Sequence, residues 1–323
     1  MKERKMLILL AAAFVALIGC YVGIEVWNEE QKEAADAKAE AEKIFLTDAE
    51  ELKEISCTSG DQSLGFVKRD GEWYYDEDSQ IPVNQDAVDG LADAVTGLTA
   101  VRELKDPDEA ADYGLEEPSS TIRYQTEKGK TAYIYIGDQT GENYYARTDD
   151  SDSIYTISDD LPYRMDYDLG EYVQNDSVPS ISSGNLKKVE VTGNGTSVTY
   201  EEEDALTELA GGFGTLSLTS PVVFHAEAED LVDYGLDEAS RESAAATYQD
   251  TQTGEKETFT VYFGDTDEDG NRYAMVKGSV LVYTVSQSVA DNCLTVEETD
   301  DADDVNAADD ADDAENTEEG AEE

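Results

Sequence analysis

The feature that most constrains this chain is that it carries one pattern twice. Asp112-Tyr113-Gly114-Leu115 recurs as Asp233-Tyr234-Gly235-Leu236, and Ile136-Gly137-Asp138 recurs as Phe263-Gly264-Asp265. Tyr145-Ala146 returns as Tyr273-Ala274, and Ile154-Tyr155-Thr156-Ile157-Ser158 returns as Val282-Tyr283-Thr284-Val285-Ser286. The order is kept while the offset drifts only from 121 to 128 residues, the drift that small loop insertions produce. A fixed internal period means that one structural unit has been written twice. The 323 residues are enough for two such units, each with its own small core.

The match continues upstream in weaker form. Leu52-Lys53-Glu54-Ile55 parallels Leu186-Lys187-Lys188-Val189, and alternating Leu64 and Phe66 parallel Val198 and Tyr200. Val88, Leu91, Val95 and Leu98 fall at helical spacing, as do Leu206, Leu209, Phe213 and Leu216, and Asn84 stands where the first helix needs an N-cap. The first copy holds extra residues before its helix, including Gly71-Glu72-Trp73-Tyr74-Tyr75, which reads as a hairpin strand that the second copy lacks. Each copy is then expected to be a hairpin or meander, an amphipathic helix, a short helical turn ending at Tyr-Gly-Leu, three strands and a terminal helical segment. Gly114 and Gly235 sit where a helix end needs a left-handed residue. Strands in runs, without strict alternation with helices, predict an α+β fold with mainly antiparallel sheets.

The units are framed by three further segments. Met6 to Ile24 is an uncharged, mostly apolar run of nineteen residues, long enough for one transmembrane helix. Lys2, Arg4 and Lys5 precede it and Glu25, Glu29 and Glu30 follow, which predicts a cytoplasmic N-terminus and an extracellular remainder. A lipoprotein signal is the alternative, since Leu17-Ile18-Gly19-Cys20 resembles a lipobox, although Tyr21, Val22 and Ile24 carry the apolar run past the cysteine. The expected organisation is residues 1–27 as stub and anchor, 28–44 as a helical stalk, 45–172 and 181–296 as the two copies, and 297–323 as an acidic tail. That tail holds fifteen Asp or Glu and no Lys or Arg, a composition that cannot build a core and predicts disorder.

Charge narrows the possible partners. Asp and Glu number 76 against 22 Lys and Arg, a formal net charge of -54. Such a field repels nucleic-acid phosphates and anionic headgroups, so nucleic-acid binding is excluded and basic proteins or cations are favoured.

The residues that could carry chemistry are few. His225 is the sole histidine and aligns with Leu104, so a partly buried strand position is expected in place of a general base. No Gly-rich phosphate loop follows a strand, and no nucleophile elbow is present. Cys57 aligns with Val191 and Cys293 with Met165, which predicts two buried apolar thiols in place of a disulfide. Asp265, Asp267 and Asp269 with Gly270 match the first half of a calcium loop, but Val276 stands where its bidentate Glu belongs, leaving a weak metal candidate. No cofactor site is expected. Tyr133 and Tyr135 alternate with Ala132, Ile134 and Ile136, so tyrosines line the second face of a sheet, where they cover it or stack on a partner.

Pro107, Tyr113-Gly114-Leu115, Pro118, Ile136-Gly137-Asp138, Tyr144-Tyr145-Ala146 and Ile154-Tyr155-Thr156-Ile157 together resemble the domain-of-unknown-function 4340 family over roughly residues 45 to 295. The second copy departs from that pattern at Ala239, where the first has Pro118. The resemblance implies one N-terminal membrane helix and an accessory role beside an ABC-type exporter, and it brings no catalytic residues. The expectation is a non-enzymatic, membrane-anchored extracytoplasmic binding or scaffolding protein, accessory to a transporter or envelope complex. The alternative is a cell-surface binder of wall polymer or divalent cations. Specialised function is expected where the copies differ, at the Trp73 strand and the Asp265 loop.

Overall fold

The computed structural model describes residues 43–47 and 49–296. The anchor expected over residues 6–24, the stalk up to residue 42 and the acidic tail lie outside them, while Ile44, the last residue of the expected helical stalk, is in a short strand. Among the described residues no helix is long and apolar enough to cross a membrane.

The first sheet is preceded by the short strand β1 (Ile44–Phe45) and opens with β2 (Leu52–Ser59), β3 (Gln62–Arg69) and β4 (Glu72–Tyr75). Helix α1 (Gln85–Thr96), short strands β5 (Thr99–Ala100) and β6 (Arg102–Glu103) and a 3-10 turn at Ala110–Tyr113 come next. The strands β7 (Ser120–Thr126), β8 (Thr131–Thr140), β9 (Asn143–Thr148) and β10 (Tyr155–Ser158) finish the sheet, and α2 (Asp160–Met165) and α3 (Leu169–Tyr172) close the segment. The second half runs through β11 (Leu186–Gly193), β12 (Thr196–Tyr200), α4 (Glu203–Thr215), β13 (Pro221–Val223) and a 3-10 turn at Asp230–Tyr234. It ends with β14 (Glu242–Gln249), β15 (Lys256–Thr266), β16 (Asn271–Val276), β17 (Val282–Ser286) and α5 (Gln287–Leu294).

The fold is α+β, built on antiparallel sheets with a few helices. The first sheet has eight strands in the order β4-β3-β2-β7-β8-β9-β10-β6, and the second has seven in the order β12-β11-β14-β15-β16-β17-β13. Strand for strand the orders agree, except that β4 is added outside β3. Four strands follow each Tyr-Gly-Leu where three were expected. The additional ones are β7 and β14, which pair with β2 and β11 and so join the hairpin to the rest of its sheet. In β14 the run Ala244-Ala245-Ala246 has more intrinsic liking for helix than for strand, and pairing on both sides overrides it. Two-residue strands such as β5 and β6 carry no periodic signal at all.

The first sheet buries one face, and the second adds a small cluster of Leu236, Met275 and Val282 apart from its inner core. Ile122, Ile134 and Ile136 are at most 1% exposed, while Thr121, Arg123, Tyr133 and Tyr135 on the opposite face are half-buried. Helix α1 lays Val88, Leu91, Ala92 and Val95 on the inner face, and its free N-terminal amides are capped by Asn84, whose side chain accepts from the Ala87 N–H. Helix α4 does the same with Leu206, Leu209, Ala210 and Phe213. It crosses α5 so closely that a Cβ at Gly212 would collide with the Asn292 carbonyl.

The inner residues of both halves form one continuous cluster, from Leu52 to Leu294. The connecting segment is tied to the second half by polar contacts. Asn175 donates its side-chain N–H to the Thr219 carbonyl at 2.8 Å, and the Asp176 carboxylate accepts from Ser279 at 2.6 Å and from Tyr283 at 3.1 Å. The two sheets therefore share one core.

Candidate functional site

The motifs that define the repeat meet in space. At Gly137 and Gly264 the register between neighbouring strands slips, between Ile136 and Gln139 in one sheet and between Phe263 and Thr266 in the other. A side chain at Gly137 would collide with the Tyr113 carbonyl, and one at Gly264 with the Tyr234 carbonyl. Each Gly-Asp bulge thus receives the last turn of a Tyr-Gly-Leu segment. Gly114 and Gly235 end those turns at φ of 67° and 63°, in the left-handed region. Leu115 and Leu236 are fully buried beneath them. Tyr113 packs edge-on against Tyr145 at 4.8 Å, and Tyr234 against Tyr273 at 5.1 Å. The motif is a joint between a turn and a bulged strand, and all of its residues are engaged in holding it.

The residues singled out for chemistry are likewise in structural service. Asp267 Oδ1 accepts from the Asp269 N–H at 2.9 Å and the Asn271 N–H at 2.8 Å, so the carboxylate closes its own hairpin turn. Donation from the Asn271 backbone holds the Asp267 carboxyl below its ordinary range. The Asp265 carboxyl lies against Gly235 instead, facing the joint. Among the described residues no group of three or more His, Cys, Asp and Glu side chains is placed to hold a metal. Cys57 and Cys293 are unbridged and buried, with burial alone pushing each thiol up to about 12. A thiol so shifted carries almost no thiolate at neutral pH.

His225 is partly buried, though it lies in the loop after β13 and not within a strand. Its Nδ1 stands 2.5 Å from Asp78 Oδ2 of the first half. The Gln80 N–H and His225 together hold the Asp78 carboxyl below its ordinary range. The indole of Trp73 is also inward, 2% exposed, and its Nε1–H donates to Asp89 of α1 at 2.8 Å. The Trp73 backbone exchanges two hydrogen bonds with the Gln85 side chain at 2.7 and 3.0 Å. The extra strand is therefore clamped to the helix and does not offer its indole to a ligand.

The outer face of the first sheet is different. Cross-strand pairing places Arg123 opposite Tyr133 and Tyr135 opposite Arg147, while Tyr133 and Tyr135 stand two apart on β8. The result is one Arg–Tyr–Tyr–Arg stripe over three adjacent strands. The tyrosine rings are parallel, with centroids 6.2 Å apart and planes 7° apart, and the Arg147 guanidinium lies 4.8 Å over Tyr135. Arg123 is held by Glu54 at 3.1 Å, and that carboxylate raises its pKa, with Tyr133 a lesser contributor. Arg147 Nε is buried without a hydrogen-bond partner among the described residues, which costs about 1–3 kcal/mol. A third pair, Arg69 over Tyr74 at 5.8 Å, lies on the same sheet. These groups can accept and donate hydrogen bonds, stack, and pair with an anion, but they include no nucleophile beside a general base.

The second sheet does not repeat this stripe. Pairing sets Ala245 opposite Thr260 and Tyr262 opposite Met275, so only one of the four positions, Tyr262, is kept. Arg241 covers that ring at 3.8 Å. Period-two alternation marks Tyr133 and Tyr135 in the sequence. The arginines beside them become visible only once strand register is known, because they lie on different strands.

Residues 73–221 match the family model described as Domain of unknown function (DUF4340). The matched region runs from Trp73 in β4 to Pro221, the first residue of β13, and is shorter than the 45–295 span over which the motifs resemble that family. No curated protein matches the chain. No solved structure matches it either.

Proposed function

From the premise that this chain carries a DUF4340 domain, we propose that it is a non-enzymatic, membrane-anchored extracytoplasmic binding or scaffolding protein, accessory to an ABC-type transporter or envelope complex. In this reading the chain is a tandem duplication. Residues 6–24 hold it in the membrane with the N-terminus inside, and the tail beyond residue 296 is an acidic extension. The observation that carries the binding role is the Arg123–Tyr133–Tyr135–Arg147 stripe. Tyrosine and arginine are the residues that most often concentrate binding energy at protein interfaces, because each offers a large contact area together with hydrogen bonds. The first sheet assembles them on the face opposite the one that α1 covers, and the second has Ala245, Thr260 and Met275 at the corresponding places.

The test is site-specific photocrosslinking in cells from position 121, on the same face. Recovery of a membrane or envelope protein, lost in a Tyr133→Ala/Tyr135→Ala variant, is the expected result. A wild-type crosslink to no envelope protein would overturn the reading.

The aromatic stripe also favours a second reading, a binder of wall polymer, since tyrosine faces and arginine serve for glycans as well as for proteins. Sedimentation of the protein with isolated cell wall, retained in wild type and lost in the double tyrosine variant, would select it. Divalent-cation binding has less in its favour, because the Asp267 carboxylate is engaged by its own turn.

A further inference from the structure

Cross-strand pairing arranges the outer face of the first sheet in rows. One row runs Tyr133–Arg123–Ser56–Gly65 across β8, β7, β2 and β3, and the next sets Glu54 beside Val67 and Val67 beside Tyr74. The two smallest residues of the first row stand side by side, with an arginine and a tyrosine at one end. At the other end the chain leaves β4. There the Asp76 N–H donates to the Gly65 carbonyl at 3.0 Å, and the Asp76 carboxylate lies over Gly65 in the space that a Cβ would take. Short residues between tall ones leave a hollow of about 260 Å³, lined by Glu54, Ser56, Val67, Arg69, Asp76 and Arg123.

The same row of the second sheet reads Thr260–Ala245–Glu190–Thr199. Thr199 puts a side chain where Gly65 has none, Glu190 replaces Ser56, and Lys188 replaces Glu54. No strand of the second sheet corresponds to β4, so nothing there stands for Asp76 or Tyr74. The polar lining of the hollow is balanced: the guanidinium groups of Arg69 and Arg123, the carboxylates of Glu54 and Asp76, and the Ser56 hydroxyl. Arg123 is already paired with Glu54 at 3.1 Å, so the hollow has no spare charge there to hold an ion. It offers donors and acceptors at close quarters, with the rings of Tyr74 and Tyr133 beside them.

We propose that this hollow is a subsite for one ring of a neutral saccharide. Each sugar hydroxyl both donates and accepts, so neighbouring hydroxyls can donate to Glu54 and Asp76 while accepting from Arg69 and Arg123. The apolar C–H face of the ring lies against a flanking tyrosine. Pockets for drug-sized ligands run from roughly 300 to 1,000 Å³, and a hollow below that range has room for a single ring. The extra strand β4 thereby acquires a purpose, since it brings Asp76 and Tyr74 to this face. The inference deepens the wall-polymer reading and rests on it, but Arg69 and Asp76 lie outside the Arg–Tyr stripe that carries that reading.

The probes are chitotetraose and cellotetraose, titrated calorimetrically against the full chain in micelles of a detergent without a sugar headgroup. At least one is expected to bind. Asp76→Ala and Arg69→Gln, both at exposed positions, are each expected to weaken it at least about tenfold at an unchanged melting curve, and either keeps the test valid should the other melt early. A monosaccharide that competes as well as its tetramer assigns the subsite to a free sugar, whereas a tetramer at least about tenfold tighter assigns it to a polymer chain. Binding of neither tetrasaccharide, or full affinity in either variant, overturns the proposal. Binding of inorganic phosphate in place of the sugars makes the hollow an anion site and also overturns it. Sedimentation with cell wall that persists in both variants, with no tetrasaccharide bound, leaves the wall reading on the tyrosine stripe and removes this hollow from it.

Discussion

His225 and Asp78 are 147 residues apart in the chain, yet the histidine Nδ1 and the aspartate Oδ2 meet at 2.5 Å, joining the loop after β13 to the loop after β4. Their side chains are 14% and 32% exposed, so solvent screens the pair only in part. It is a direct polar link between the two halves in addition to the shared core, and it depends on both sheets being in place.

Asp78→Asn is expected to destabilise the described region by at most about 1 kcal/mol, given the partial exposure. For a chain of this size that is a melting-temperature loss of about 2–4 °C. The sign with pH follows from the lowered Asp78 pKa. A carboxyl whose folded pKa is depressed contributes stability above its unfolded pKa of 3.8 and loses it as pH falls through the folded value. The gap between wild type and Asp78→Asn should therefore be full at pH 6 and close below pH 4. Melting curves across that range check it, and a gap that widened on acidification would contradict the assignment.

Gly137→Ala and Gly264→Ala should each cost more than Gly195→Ala. The first two drive a methyl into a backbone carbonyl that cannot swing aside, an overpacking of about 1–3 kcal/mol or more. Gly195 has positive φ but nothing within 4 Å, so only the left-handed penalty of about 1–2 kcal/mol applies. Urea midpoints for the three variants give the order directly.

Trp73→Ala removes a buried indole, its bond to Asp89 and the anchor of β4, and should cost about 3–5 kcal/mol. Trp73→Phe keeps most of the volume but leaves the Asp89 carboxylate without that donor, so its loss should be clearly smaller. Chemical denaturation followed by circular dichroism distinguishes them.

In a Cys20→Ser chain the two remaining thiols should react negligibly with a disulfide reagent at pH 8 while folded, since burial pushes both up to about 12. Both should titrate fully in guanidinium. Fewer than two thiols after denaturation would mean that Cys57 and Cys293 are bonded.

The motifs that align the two copies are those whose chemistry is local or sterically forced. Gly114 is legible because a left-handed helix end admits little else, and the α1 face is legible because Val88, Leu91 and Val95 keep one period. The Ala-rich strand β14 is illegible by propensity, because pairing on both edges decides it, although its counterpart Ser120–Thr126 alternates Ile122 and Tyr124 with polar residues. The same holds for the candidate binding face. Tyr133 and Tyr135 show as alternation within one strand, but Arg123 and Arg147 join them only through register across β7, β8 and β9.

By itself the sequence determined the antiparallel α+β character, the two-fold pattern and the strong acidity, because periodicity and composition act over a few residues at a time. Only the tertiary structure decided that the Tyr-Gly-Leu turn seats in the Gly-Asp bulge and that Asp267 serves its own hairpin. Those outcomes depend on which backbone groups come within about 3 Å of each other across long stretches of chain. Linear spacing does not encode that proximity; the packing of one shared core does.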